Sequence, residues 1–197
     1  MLMNDEIINL ITKTIEYIKE LYKDNSDGHD LDHSLRVYNN AVKISKSYTD
    51  ADPLIISLAS LLHDADDHKL FDTENNDNAR KFMESQNISE EDINMVCNVI
   101  NSVSFSKNKG VKPDTLEGCI VQDADRLDAL GAIGIARTFA YGGRNNRSLV
   151  ESVKHFHEKL LLLKDQMNTP EAKRIAEDRH KFLEDYILEL YKEMGER

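Results

Sequence analysis

Apolar residues recur every three or four positions along almost the whole chain, which is the spacing of one face of an α-helix. The first such segment runs from Ile7 to Tyr22. No segment alternates apolar and polar residues with the period of two that a half-buried β-strand requires. The chain has only 8 glycines and 3 prolines, too few for a turn-rich β-sandwich. The pattern predicts an all-α fold.

Residues that cap helix N-termini divide this pattern into about nine helices. Asp52 and Thr169 each precede a proline that opens a helix, and another helix is expected to start near Asp30 and to carry His33, Val37, Ala41 and Ile44 on one face. The other predicted caps are Ser89 and Asp114, and further helices are expected near 74–85, 129–141 and 148–165. The buried face of the last helix is predicted to comprise Ile175, Phe182, Leu183, Tyr186, Ile187 and Leu190. Loops are expected at 24–29, 66–73, 102–113 and 141–147.

The length of 197 residues, without an internal repeat or linker, predicts a single domain over 1–197. With 25 basic and 36 acidic residues the formal charge is −11. Such a charge repels nucleic-acid backbones and anionic membranes, so neither non-specific nucleic-acid binding nor membrane binding is expected. A polyanionic substrate would require a bound cation or a basic pocket. A homodimer is expected only if the first or last helix carries surplus apolar surface.

The location predicted from the sequence is the cytoplasm. Cys97 and Cys119 form no spacing motif, which is typical of proteins in a reducing compartment. The N-terminus begins with acidic residues and lacks the basic segment of a signal peptide. No apolar run approaches the roughly 20 residues of a membrane span.

Four residues that can bind a metal lie on or beside apolar helix faces. They are His33, the doublet His63-Asp64, and Asp125. A carboxylate on a core-facing surface is costly unless it is paired, hydrogen-bonded or bound to a metal. Two imidazoles and two carboxylates from three helices could hold a first-row divalent ion, and this ligand set does not select among Mn, Fe, Co, Ni and Zn. Taken singly, each has another explanation: a core histidine with ordinary partners, or Asp125 paired with Arg126 or Arg137.

These four residues resemble the pattern of the HD-domain superfamily of metal-dependent phosphohydrolases: a histidine, a His-Asp doublet at a helix end, and a distal aspartate. The local sequences are similar as well, namely His-x-x-x-His-x-x-Arg-Val at 29–37, Leu-Leu-His-Asp at 61–64 and Ala-Asp-Arg-Leu at 124–127. The resemblance covers about residues 25–130, and 131–197 would complete the fold. The segments 122–131 and 155–160 resemble a small stand-alone bacterial subfamily associated with Mn-dependent pyrophosphohydrolysis of nucleoside triphosphates, especially deoxynucleotides.

The resemblance implies a helical bundle in which His33, His63, Asp64 and Asp125 hold Mn²⁺, with Fe, Co, Ni, Zn or Mg as alternatives. It implies that Asp64 is the most important ligand and that Asp67 is the general acid or base. The (p)ppGpp hydrolases of the superfamily have a Glu-Asp pair where this chain has Asp67-His68, which argues against that substrate. Another explanation of 66–68 is an exposed turn.

Candidate contacts to a small nucleotide substrate surround this pattern in the sequence. They are His29, Arg36, His68, Arg126, Asp128, Arg144 and Lys159. Solvated surface roles are the alternative for Lys159, His29 and the arginines of 141–147. Two other functions stay open: phosphomonoester or phosphodiester hydrolysis by the same kind of site, and di-iron oxidation. The second needs extra histidines, but His68 is the only one in 65–124. A non-enzymatic helical interaction domain is disfavoured by the intact ligand set.

Overall fold

The computed structural model describes residues 5–23, 30–103, 108 and 110–195, and within these ranges it contains nine α-helices, one 3₁₀ helix and no β-strand. The α-helices are α1 (Asp5–Leu21), α2 (Leu31–Ser45), α3 (Pro53–Leu62), α4 (Asp77–Ser85), α5 (Glu90–Val103), α6 (Leu116–Asp128), α7 (Gly131–Arg144), α8 (Leu149–Glu158) and α9 (Pro170–Glu193). The 3₁₀ helix is Leu160–Gln166. The all-α prediction is confirmed.

The chain forms two compact units, Met1–Asp125 and Arg126–Arg197, and the division falls within α6. In the first unit, α3 is central and packs against α1, α2 and α5. Every residue of α3 from Ile55 to Leu62 is buried. In the second unit, α7 packs against α8 and α9, and the 3₁₀ helix packs against the same two helices. The single domain over 1–197 stays a prediction.

Most predicted caps are present. The carboxylate of Asp52 accepts from the backbone N–H of Leu54 at 2.8 Å, and the Thr169 hydroxyl accepts from that of Ala172 at 3.3 Å. The Ser89 hydroxyl accepts from the backbone N–H of Asp92 at 3.1 Å. These side chains satisfy N–H groups that have no partner within their own helices. The start of each of these helices was therefore predicted correctly.

Three predictions about helix boundaries were wrong. Asp114 does not cap α6, because the Thr115 hydroxyl accepts from the Gly118 N–H at 3.0 Å and the helix begins at Leu116. The helix expected over 148–165 is divided at Lys159, where α8 ends and the 3₁₀ helix follows. The loop expected over 141–147 is helical as far as Arg144.

Two residues occupy environments that the sequence did not predict. Phe182 is 53% exposed, and the buried face of α9 is completed by Ala176 and His180 instead. Gly142 is buried where α7 passes α8, and a Cβ at this position would lie 2.4 Å from Ser152 Oγ. The glycine therefore allows two helices to approach closely. None of the described helices is both long and apolar enough to span a bilayer.

Candidate metal centre

The first candidate ligand, His33, lies in the first turn of α2. Asp30 has extended backbone angles and its side chain accepts from the His33 N–H at 2.7 Å, which fixes the start of the helix. His33 then shares a face with Val37 and Ala41, which are completely buried. Because this face packs inward, the imidazole is only 2% exposed. The cap and the apolar face together position it.

The His63-Asp64 doublet follows directly after α3. His63 is the C-terminal cap residue of this buried helix, and its Nδ1 lies 2.9 Å from the carbonyl oxygen of Ser60. A carbonyl oxygen only accepts, so Nδ1 carries the proton and the neutral ring has its lone pair on Nε2. This is the usual arrangement of a metal-binding histidine, whose second nitrogen donates to a carbonyl or carboxylate.

Two buried amide side chains fix the part of α6 that precedes Asp125. Asn40 of α2 donates from Nδ2 to the carbonyl oxygen of Ala124 at 3.2 Å. Gln122 donates from Nε2 to the carbonyl oxygen of Ser102 at 2.8 Å. Because His33 and Asn40 belong to the same helix, α2 holds both a candidate ligand and the backbone beside another.

The polar atoms of these four residues converge. The two Nε2 atoms of His33 and His63 are 3.2 Å apart. Asp64 Oδ2 lies 3.5 Å from His33 Nε2 and 3.3 Å from His63 Nε2. Asp125 Oδ1 lies 3.4 Å from His33 Nε2 and 4.0 Å from His63 Nε2.

Four of these five separations, all except the 4.0 Å between His63 and Asp125, fit ligands of a single divalent ion. Ligand atoms bound about 2.1 Å from an ion are about 3.0–3.5 Å apart at octahedral or tetrahedral angles. Two imidazole nitrogens that both carry lone pairs repel each other at 3.2 Å unless a cation or a proton lies between them. His33, His63 and Asp64 form the one metal-type cluster in the part of the chain that the structure describes, and Asp125 adjoins it.

The pKa values of His63 and Asp125 indicate how the negative charge of the site is balanced when no ion is bound. Burial lowers the pKa of this imidazole, but the neighbouring charges and hydrogen bonds, chiefly those of Asp64, raise it to about 9. Burial raises the pKa of Asp125, but the hydrogen bond with His33 and the charge of His63 lower it below its usual value. A proton on His63 thus partly replaces the positive charge that the carboxylates require.

The three residues 66–68, which form a turn after the doublet, differ in their hydrogen bonds and exposure. Asp66 accepts from the N–H groups of Asn78 and Ala79, at 2.9 and 3.1 Å. Asp67 Oδ1 accepts from the N–H of Lys69 at 2.8 Å. His68 is exposed, and its Nδ1 is 3.8 Å from Asp67 Oδ1. The predicted exposed turn is therefore present at His68, whereas both oxygens of Asp66 are engaged.

Four of the predicted substrate contacts belong to the second unit. Arg126 is buried and its guanidinium donates to the carbonyl oxygen of Gln166. Asp128 is buried and pairs with Arg137. Arg144 is exposed at the end of α7, and Lys159 is half-buried where α8 ends. Their assignment to substrate binding stays a prediction.

Two predicted contacts precede the doublet. Arg36 is half-buried on α2, one turn after His33. His29 lies outside the described residues.

The sequence pattern did not reveal Asn40 and Gln122, which hold the backbone that precedes Asp125, or the contact of Asp66 with α4. Asn40 could have been found, because it interrupts the apolar face of α2 with an amide that needs a buried partner. Gln122 gives a similar but weaker signal on α6. Asp66 gives none, since an aspartate in a polar turn is ordinary.

The chain matches a known protein family and a bacterial relative. Residues 30–130 match the family model of the HD domain. The chain is also 37% identical over 186 residues to the protein YpgQ of Bacillus subtilis, and the match covers 90% of each chain.

Solved structures show the same fold. The crystal structure of Bacillus subtilis YpgQ in complex with ADP has a TM-score of 0.84 at 34% identity, over 95% of this chain and 96% of that one. An HD-superfamily hydrolase from Bacillus thuringiensis has a TM-score of 0.79 at 38% identity, over 97% and 100% of the two chains. The similarity therefore includes the second unit as well as the region of the family model.

Proposed function

Because this chain belongs to the HD domain family, we propose that it is a divalent-metal-dependent phosphohydrolase that releases pyrophosphate from nucleoside or deoxynucleoside triphosphates. The observation that carries the proposal is the convergence of four ligand atoms from His33, His63, Asp64 and Asp125. The ADP bound by YpgQ supports a nucleotide as the ligand.

The proposed ion is Mn²⁺, with Fe, Co, Ni, Zn and Mg as alternatives for the same nitrogen and oxygen donors. A divalent ion, when bound, acts as a Lewis acid on a phosphoryl oxygen and lowers the pKa of bound water towards neutrality. The ion is also a reason why a chain of charge −11 can bind a polyphosphate. The same proposal places the enzyme in the cytoplasm, since its two cysteines are buried thiols.

The chain's own residues then have distinct roles. His63 presents Nε2 because Ser60 holds Nδ1, and Asp64 presents Oδ2 to both histidines. Asp67 is proposed to move the proton between water and the phosphate groups, and its orientation is restrained by the Lys69 N–H. In the proposed reaction, water adds to the α-phosphorus and the bond to the bridging oxygen of the β-phosphate breaks. The products are a nucleoside monophosphate and pyrophosphate.

Product analysis tests the proposal. Metal-stripped protein is incubated with Mn²⁺ and a panel of ribo- and deoxyribonucleoside triphosphates, and pyrophosphate and orthophosphate are measured separately. Pyrophosphate with a monophosphate is expected, and it should be absent for Asp64→Ala. Asp50→Ala is the matched control, because it removes one exposed carboxylate outside the metal centre.

Each other outcome contradicts part of the proposal. Orthophosphate alone would move the attack to a terminal phosphate and replace pyrophosphohydrolysis by phosphomonoester-type chemistry. No product across the panel would reject the nucleotide hydrolase. Iron in the purified protein would then favour the oxygenase alternative. That alternative needs extra histidine ligands, and His68, the one histidine in 65–124, is exposed.

A further inference from the structure

The turn that carries Asp64 is tied to the start of α4 by two sets of hydrogen bonds. Asp66 accepts from the backbone N–H groups of Asn78 and Ala79, one with each carboxylate oxygen. In the opposite direction, Asn78 donates from Nδ2 to the carbonyl oxygen of Ala65 at 2.8 Å. Both residues that follow Asp64 are therefore held by the first turn of another helix.

Asp66 replaces the cap that α4 lacks locally. Asn76 occupies the N-cap position, but its side chain makes no capping hydrogen bond and instead donates to Asn101 Oδ1 at 3.2 Å. Asp66, ten positions earlier in the chain, satisfies the N–H groups that a local cap would otherwise satisfy. Its negative charge is also favourable at the positive end of the helix dipole.

The approach to α4 is made through unusual backbone angles. Asn75 and Asn76 are consecutive residues with φ of 57° and 58°. The left-handed region is unfavourable for residues other than glycine, although asparagine tolerates it best. These two residues stand directly before the turn whose Asn78 and Ala79 N–H groups reach Asp66, so the hydrogen bonds to Asp66 offset part of the local backbone strain.

The contact is braced from α1 as well. Tyr17 donates from its hydroxyl to the carbonyl oxygen of Asn78 at 3.1 Å, and its ring stacks on Phe82 with the centroids 4.5 Å apart. Burial and the charge of Asp66 raise the pKa of Tyr17, so its hydroxyl remains a donor. The first turn of α4 is thus fixed on one side by α1 and on the other by the turn after His63.

We propose that Asp66 is a positioning residue for the metal centre, which acts by tying the backbone on the C-terminal side of Asp64 to the first turn of α4. The start of the turn is held locally, because the N–H of Ala65, in the peptide that joins Asp64 to Ala65, donates to the carbonyl oxygen of Leu62 at 3.0 Å. Loss of the Asp66 contact releases only the C-terminal side of the turn. The Asp64 carboxylate then no longer remains aligned with both histidines.

This inference rests on the metal site of the proposed function, so its test measures metal binding directly rather than turnover. Calorimetric titration of the full-length, metal-stripped protein with Mn²⁺ compares the wild type with Asp66→Asn. The amide keeps the size of the side chain but presents an NH₂ group to one of the two N–H donors. We expect Mn²⁺ affinity to fall about 10- to 100-fold, as for other residues that orient metal ligands.

Ser89→Ala is the matched control. It also removes an N-terminal cap, but from α5, which carries no candidate ligand. We expect it to lower the melting temperature without changing Mn²⁺ affinity more than about twofold. Unchanged affinity in Asp66→Asn, or an equal loss in both variants, would overturn the positioning role. A wild type that does not bind Mn²⁺ would instead overturn the metal site itself.

A second variant decides the matter if Asp66→Asn does not fold. Asn78→Ala keeps the cap on α4 and removes only the bond to the Ala65 carbonyl. We expect a several-fold loss of Mn²⁺ affinity with helical circular dichroism retained. Wild-type affinity in this variant would show that the bond from Asn78 to Ala65 does not help to align Asp64, which would contradict the proposed tie between the turn and α4.

Discussion

The imidazole Nδ1 of His63 donates a hydrogen bond to the carbonyl oxygen of Ser60, 2.9 Å away and one turn earlier in the chain. The acceptor belongs to the last turn of α3, where carbonyl groups lack partners within the helix. The end of the helix therefore determines which nitrogen of His63 faces the other ligands. This local contact makes the His-Asp doublet suitable for binding a metal.

Asp64→Ala is expected to abolish Mn²⁺ retention and hydrolysis. Asp64 Oδ2 is the carboxylate oxygen that lies within 3.5 Å of both histidines, so no other side chain replaces it. Metal content is measured by elemental analysis, and folding by circular dichroism, which should change little. Wild-type activity in this variant would reject the metal centre, and Asp50→Ala should behave as the wild type.

Asp67→Asn is expected to lower kcat by about 100-fold or more, because general acid–base catalysis typically contributes a factor of that size. Metal content should change little, because Asp67 is proposed to move a proton and not to bind the ion. Parallel measurements of kcat and bound Mn²⁺ separate the two roles. Equal losses of both quantities would remove the acid–base assignment.

Binding of Mn²⁺ near pH 7.5 is expected to release about one proton. Without the ion, the Asp64 and Asp125 carboxylates raise the pKa of His63 to about 9 against the opposing effect of burial, so the imidazole is protonated. The ion requires the neutral ring. Titrations in buffers of different ionisation enthalpy measure the released protons. A buffer-independent binding enthalpy at pH 7.5 would contradict the prediction.

The metal-free protein is expected to lose stability as the pH rises from about 7 to above 9. The folded-state pKa of His63 exceeds its usual value of 6.5, so its contribution is fully present below pH 6.5 and disappears as the pH passes about 9. A shift of this size corresponds to about 3 kcal/mol in the free energy of unfolding. Urea unfolding at several pH values measures the free energy of unfolding. It should fall with rising pH in the wild type and fall less in His63→Gln.

Gly142→Ala is expected to destabilise the protein by about 1–3 kcal/mol, since the added methyl group overlaps Ser152 Oγ. The distance from the new Cβ to Ser152 Cβ is 3.5 Å, an ordinary contact. In a Ser152→Ala background the same change should therefore cost little or even stabilise α7, because alanine is the better helix former. Thermal unfolding of the four proteins measures this coupling. Additive effects would show that the glycine is not required by packing.

The sequence predicts most helices because their determinants are local. Asp30 and Asp52 cap the helices that follow them, and apolar spacing determines which face is buried. It does not distinguish Asp114 from Thr115, two adjacent residues that are both good caps. Phe182 was misplaced because it is next to Leu183, and one position turns the side chain by about 100° around the helix axis.

The candidate ligands were predictable, whereas their supports were not. His33, His63, Asp64 and Asp125 stand in an ordered pattern of metal-binding residue types, and the structure brings their side chains within 4.0 Å of one another or of a shared neighbour. The bond from Asn40 to Ala124 depends on two helices that are far apart in the sequence. The division of the helix at Lys159 is likewise a tertiary effect, because the leucines after it continue a helical pattern.

The division of the chain after Asp125 separates the candidate metal ligands from most of the predicted substrate contacts. All four candidate ligands belong to the first unit, whereas Arg126, Asp128, Arg144 and Lys159 belong to the second. Under the proposed function, substitutions of these predicted contacts would alter the choice of phosphate compound while the ligands of the ion stay the same. Homologues with an identical ion and different substrates are the expected result of such a division.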